Sequence, residues 1–266
     1  MKRKKNYSLT VGGALTLVFL LFALVGQVWT PYSPTAMDST AVCLFPCAAH
    51  PMGTDNFGRD ILSRVMEGSG STFFVAICTV LIGGAFGTLI GALTGYFGGW
   101  ADNLVMRFND ILLSFPSILL ALIFVSLLGP GRYNIILALG VLFIPSFARI
   151  VRSEVIRFRE LDFVRSARIM GAGPLRIIFF HILPNARVSI LTAAAIGFNN
   201  AVLAEASMSY LSLGIQPPDP SLGRMLSEAQ SYLFQAPWYA IFPGLTIILI
   251  VLGFSMVSEG LRAIRE

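Results

Sequence analysis

The reactive side chains of this 266-residue chain are few and badly spaced for catalysis. Histidine occurs only at His50 and His181, so a helix presenting two imidazoles to a zinc ion is excluded. Lysine is confined to Lys2, Lys4 and Lys5. That removes both a phosphate-cradling Gly-rich turn with its Lys and Schiff-base chemistry. Cys43 and Cys47 flank Leu44-Phe45-Pro46, a spacing open to a short disulfide or, with His50, to a metal site short of a fourth ligand. Cys78 sits in an apolar run and reads as a buried filler. No Ser–His pair falls within one apolar run. The expectation is a non-enzymatic chain, with no catalytic residue, no metal set and no cofactor of its own.

The elements that would position any site are apolar spans. Hydrophobic residues make up 55% of the chain and charged residues 12%, against about 25% charged in an ordinary globular domain. This is a membrane composition, and the spans read as six helices, giving an all-α membrane protein. The apolar run Leu9–Trp29 follows the basic start Lys2-Arg3-Lys4-Lys5 and is long enough to cross a ~30 Å hydrocarbon layer, with no small-residue cleavage site after it. Further spans are expected over Thr72–Phe97, Ile111–Leu128, Tyr133–Ala148, Ser189–Ala204 (running on toward Leu213) and Trp238–Val257. Between the first two, Thr54 or Asp55 is expected to cap a short helix on the membrane surface, running toward Glu67. Gly83, Gly84, Gly87, Gly91 and Gly95 form a small-residue stripe that lets helices approach closely. The expected division is 1–72, with the first span and an external loop, and 73–266, a five-span core with a basic loop at 151–187.

Six spans put both termini on one side. Loops on the far side hold Arg59, Arg64, Arg132 and Arg224, so 15 of the 19 Lys and Arg lie on the side of the termini. Positive charge gathers on the cytoplasmic face, which predicts both termini inside and explains the net charge of +5 without nucleic acid.

As drawn, no ionisable residue falls mid-span. Asp110 lies near the cytoplasmic mouth of the third span and Glu205 toward the outer part of the fifth. Ion-driven carriers need such groups, so the chain looks able to shape a pathway but not to power one. A self-sufficient channel or secondary carrier is the weaker alternative. Glu205, Asn199 and Asn200 are the candidate pathway residues, and Arg59 and Asp60 the candidate contacts for an external partner. The handle for an outside motor is Phe163–Pro184, FVRSARIMGAGPLRIIFFHILP, two short helical pieces broken at Gly171-Ala172-Gly173-Pro174 and closed by Pro184.

These residues resemble the permease subunits of binding-protein-dependent ABC importers. The elbow is similar to their cytoplasmic "EAA" loop, with Arg165-Ser166-Ala167 in the Glu-Ala-Ala place, Gly171 as the motif Gly and Ile182-Leu183-Pro184 closing it. The stretch HPMGTDNFGRDILSR at His50–Arg64 looks like the external signature of the dipeptide, oligopeptide and nickel subgroup. Gly95–Pro116 and Glu205–Gly223 are also similar. The resemblance implies a type I importer permease fold in a bacterial cytoplasmic membrane and a peptide cargo, with a nickel or metal-chelate cargo as the alternative. It implies as partners a second homologous permease chain, two cytoplasmic ABC ATPases that bind ATP and Mg, an extracytoplasmic solute-binding protein and the lipid bilayer. Arg165, Ala167, Arg168, Met170, Gly171, Ala172 and Pro174 would then dock the ATPase.

Overall fold

The computed structural model describes residues 7–265, so the basic start at Lys2–Lys5 lies outside the described residues. All regular elements of the described residues are helical, apart from one isolated bridge between Thr54 and Asp60. Five helices are long and apolar enough to cross a bilayer: α1 (Tyr7–Val28), α2 (Ile61–Phe97), α5 (Arg132–Arg159), α9 (Arg187–Tyr210) and α11 (Trp238–Arg265). Between α2 and α5 lie α3 (Gly99–Ser114) and α4 (Ser117–Leu128), a pair that makes a sixth span if counted together. A hydrocarbon layer offers backbone groups no partner, so helices that satisfy their own bonds are the expected solution.

Two expectations fail on proline and on continuity. The run Ile111–Leu128 is not one straight span, because the chain turns by 93° between α3 and α4. Pro116 forces Phe115 out of the helical region, to ψ 145°. The remaining twelve residues of α4 reach about 18 Å, short of a ~30 Å layer. Conversely, the surface helix and the span at Thr72 are one 37-residue helix, α2. Its N-cap is Asp60, whose carboxylate accepts from the Ser63 N–H at 2.8 Å, rather than Thr54 or Asp55. No proline interrupts the helix, and Val65, Met66 and Ser69 are buried, so it runs inward without a break. Residue 72 therefore lies inside a helix, not at a boundary.

Helix α5 likewise runs beyond Ala148 to Arg159, because polar partners wait for its extension. Arg152 makes two 2.6 Å bonds to Asp102 on α3, and Arg149 reaches Asp110 at 2.5 Å. The α2–α5 pair is the most extensive contact in the fold. The glycine stripe makes it: a Cβ at Gly91 would overlap the Ala148 carbonyl, and one at Gly87 would sit 2.5 Å from Phe147 Cβ. Helix α1 packs antiparallel against α2 and α11, with Gly26 on Met66 and Gly12 on Met256.

The close approach yields a paired prediction. Gly91→Ala is expected to cost about 1–3 kcal/mol by overpacking against α5. Gly84→Ala, whose Cβ would meet only the Phe147 ring at 3.7 Å, is expected to be nearly neutral. Thermal unfolding of the two variants in detergent checks this; equal midpoints would refute it.

Candidate functional site

The elbow begins two residues after α5. Helix α6 (Asp162–Ile169) ends in a left-handed turn at Gly171, φ +83°. The Gly171 N–H donates to the Arg168 carbonyl and the Ala172 N–H to the Ala167 carbonyl, both at 3.0 Å. This crossed pair closes the helix end and needs a residue that tolerates positive φ. Pro174 then starts α7 (Pro174–Arg176), which passes into a π-turn at Ile177–Ile182 and a last piece, α8 (Leu183–Asn185). The Leu183 N–H donates five residues back, to Ile178. Pro184 is thus inside the helical run rather than at its boundary. The wide turn ahead of it makes room for a residue without a donor.

The elbow's two faces differ. Val164, Ala167, Ile177, Ile178 and Ile182 are buried against Val151 and Val155 of α5 and Ala92 of α2. On the second piece Leu175, Phe179 and Phe180 face out, Phe180 at 75% exposure. Ala167 is a correction as a docking residue: its methyl is 2% exposed and packs inward. Ala172 is half-buried beside it. Arg165, Arg168, Met170, Gly171 and Pro174 are exposed as expected, and Ile169, at 87%, joins them unforeseen. Arg168 also lies 6.0 Å over the Tyr96 ring. A basic rim of Arg165, Arg168 and Arg176 surrounds the exposed apolar side chains of Ile169, Met170, Leu175 and Phe180.

Three cavities run along the α5–α9 face. One of about 430 Å³ lies against α4 and reaches Met208; a smaller central one shares Phe143, Ser146 and Asn200 with it. A third of about 470 Å³ shares Ile150, Ala193 and Ile196 with the central one and ends at Glu154 and Arg262. Asn200 is exposed in this groove. Its neighbours in the expected set are not. Asn199 faces α11; in the amide orientation that satisfies both groups, it donates to the Val251 carbonyl and accepts from the Ser255 N–H, each at 3.2 Å. Glu205 is fully buried, accepting from Thr72 Oγ1 at 2.8 Å and Ser209 Oγ at 2.7 Å. It ties α9 to α2 and lines no pathway, because its carboxylate has no open side. Ser146 joins the groove unforeseen; a polar residue beside Pro145 within an apolar run is the signal that could have found it.

Arg59 and Asp60 are also corrected. Neither is available to a partner, at 6% and 2% exposure. Asp60 caps α2 and pairs with His50 Nδ1 at 2.9 Å. Arg59 pairs with Asp55 at 2.6 Å and with Glu228 at 3.0 Å. Glu228 lies on α10 (Leu222–Ala229) and also holds Arg64 at 3.2 Å, Arg224 at 3.3 Å and the Tyr239 hydroxyl at 2.7 Å. Burial pushes the Glu228 carboxyl up, but the Tyr239 hydrogen bond and the Arg64 and Arg59 guanidiniums outweigh it and hold it below the ordinary range. This knot clamps the loops of the end opposite the elbow. No local pattern in the sequence marks it, because Arg59 and Arg64 lie more than 160 residues before Glu228. Nearby, Cys43 and Cys47 are free thiols, Cys43 with φ +52° and its own thiol pushed up by burial.

Residues 87–265 match the family model described as "Binding-protein-dependent transport system inner membrane component". The dipeptide transport system permease protein DppC of Alkalihalophilus pseudofirmus is 41% identical over 97% of this chain and 85% of its own length. The glutathione transport system permease protein GsiD of Pectobacterium atrosepticum is 39% identical over 97% of this chain and 86% of its own. Among solved structures, an inward-facing conformation of the MetNI methionine ABC transporter matches with a TM-score of 0.61 at 22% identity, over 75% of this chain and 95% of that one. That likeness shows the fold, the type I importer permease fold expected above.

The arginine knot predicts an acid-sensitive clamp. A carboxyl held below its unfolded value contributes stability that is full above about pH 4.5 and lost as pH falls through the lower folded value. Glu228→Gln is expected to cost about 3 kcal/mol at neutral pH, leaving buried guanidiniums short of charge. It should also flatten the loss of thermal stability below pH 4.5 that is expected of the native chain. An unchanged midpoint at pH 7 would refute the assignment.

Proposed function

The chain belongs to the binding-protein-dependent transport system inner membrane component family, and we propose that it forms half of the translocation pathway of an ATP-driven peptide importer. Dipeptides and glutathione, named for the relatives above, are both amide-linked amino acids, which favours peptide cargo over nickel or a metal chelate. The elbow end faces the cytoplasm, as the 15-to-4 division of basic residues supports, with both termini inside. The opposite end receives cargo from an extracytoplasmic binding protein. A second permease chain closes the groove from the other side. The chain itself is not catalytic; two ATPase subunits bind ATP and Mg and hydrolyse the nucleotide.

One observation carries the reading: the elbow shares its buried core with α5. Val151 and Val155 sit on the helix whose middle walls the groove, and Val164, Ala167, Ile177, Ile178 and Ile182 pack on them. A force applied to the exposed Met170–Gly171 turn therefore moves the α5 wall. Closing and opening of the ATPase pair would bias the groove between two states through this contact, which is what coupling requires. Arg165, Arg168 and Arg176 supply the charge of the docking face, and Ile169, Met170 and Phe180 its apolar centre.

Gly171→Glu tests this directly. Space is open around Gly171, so the substitution adds bulk at the docking face without a clash inside the chain. It also imposes about 1–2 kcal/mol of left-handed strain on the turn. In the assembled, reconstituted importer it is expected to lower cargo-stimulated ATP hydrolysis by roughly tenfold or more, while the chain still reaches the membrane. Native stimulation in that variant would refute the docking assignment.

A further inference from the structure

The groove carries an unusual pair at its middle. Asn200 lies just past the midpoint of α9 and Ser146 just past the midpoint of α5. Both are exposed and both line the central cavity and the larger one beside it. Neither side chain has a hydrogen-bond partner among the described residues. Several other polar groups of α9 are satisfied. Thr192 and Ser207 bond back to their own helix, Ser209 bonds Glu205, and Asn199 bridges to α11. Leaving an amide unpaired in hydrocarbon costs about 2–7 kcal/mol, so this face of α5 and α9 is not built to meet lipid tails.

We propose that Asn200 and Ser146 hydrogen-bond the cargo's peptide backbone at the middle of the groove, a contact indifferent to the cargo's side chains. The proposal rests on the importer reading above and says which chemistry the pathway recognises. An Asn amide presents one acceptor and a donor pair, the complement of the C=O and N–H that every peptide unit carries. A Ser hydroxyl donates or accepts, as the approaching group requires. Around them the central cavity is walled by Phe143, Phe147, Ile150 and Ile196, with no ionisable residue. The charged groups of the groove, Glu154 and Arg262, lie in the cavity at the elbow end. Cargo side chains in the central cavity would thus meet an apolar wall whatever their charge, while the backbone would find partners. The flanking cavities, about 430 and 470 Å³, leave room for a short peptide on either side.

The test uses the complete importer in proteoliposomes, with Cys43, Cys47 and Cys78 replaced by serine. In that background Asn200→Cys is expected to react with a membrane-impermeant maleimide and to be protected by saturating dipeptide. In the native background, Asn200→Leu is expected to slow uptake of an acidic, a neutral and a basic dipeptide by one common factor, on the order of tenfold, the loss of one hydrogen bond. Asn200→Gln should recover part of it. Ser146→Ala, the milder change, should show a smaller loss of the same form. An unreactive thiol in the Asn200→Cys variant, or its cross-linking to the partner permease, would overturn the proposal. So would native uptake by Asn200→Leu, or a loss that follows the charge of the peptide. Failure of the unmodified complex to take up any dipeptide would instead sink the importer reading itself.

Discussion

The bundle is hung on the close approach of α2 and α5. Four glycines of one stripe, Gly83, Gly87, Gly91 and Gly95, bring the α2 backbone against Phe143, Phe147, Ala148 and Arg152. Without a hydrophobic driving force between helices in lipid, such contact is what holds a bundle together. It makes α5 a fixed rod rather than one span among several. That rod continues past the bilayer, pinned to α3 by the two Arg152–Asp102 bonds, and ends at the elbow. The wall of the groove and the root of the elbow are therefore parts of one element.

Charge is sorted with the same economy. Arg59, Arg64 and Arg224 converge on Asp55 and Glu228 at one end, with Tyr239 completing the set. At the other, Arg149, Arg152 and Arg157 are neutralised by Asp110, Asp102 and Glu154. Between them the groove is uncharged, and Glu205 is turned away from it into Thr72 and Ser209. A pathway with no charge at its centre neither traps an ion nor prefers one sign of cargo. Such a wall suits a zwitterion of variable side chains better than a metal cation, which would demand carboxylate or imidazole ligands.

The spans were legible in the sequence because apolar length decides them. So was the elbow, because Gly171-Ala172-Gly173-Pro174 allows little else, and the helix–Gly–helix design stands as read. What escaped was facing. In water an apolar stripe marks the buried side; in lipid both sides are apolar, and hydrophobicity no longer tells core from surface. Hence Asn199 and Asn200, adjacent in sequence on one span, serve different neighbours. The bend at Pro116 and the unbroken start of α2 were local facts, readable from a proline's effect on Phe115 and from its absence after Asp60. The knot around Glu228 was not readable, since its members come from segments more than 160 residues apart in sequence.

The elbow's two halves differ in backbone but share one seat. Its first half, α6, is closed by the crossed hydrogen bonds at Gly171 and rests through Val164 and Ala167 on α5. Its second half reaches α9 through a six-residue π-turn and Pro184, where one donor is missing and the turn is wide. Ile177, Ile178 and Ile182 of that turn are buried in the same core, against Val151 and Val155 of α5 and Ala92 of α2. A displacement of the Met170–Gly171 turn would therefore reach α5 through both halves, and α9 along the chain through the second. Because the glycine stripe holds α2 on α5, the same displacement would bear on the closest helix pair of the fold as well.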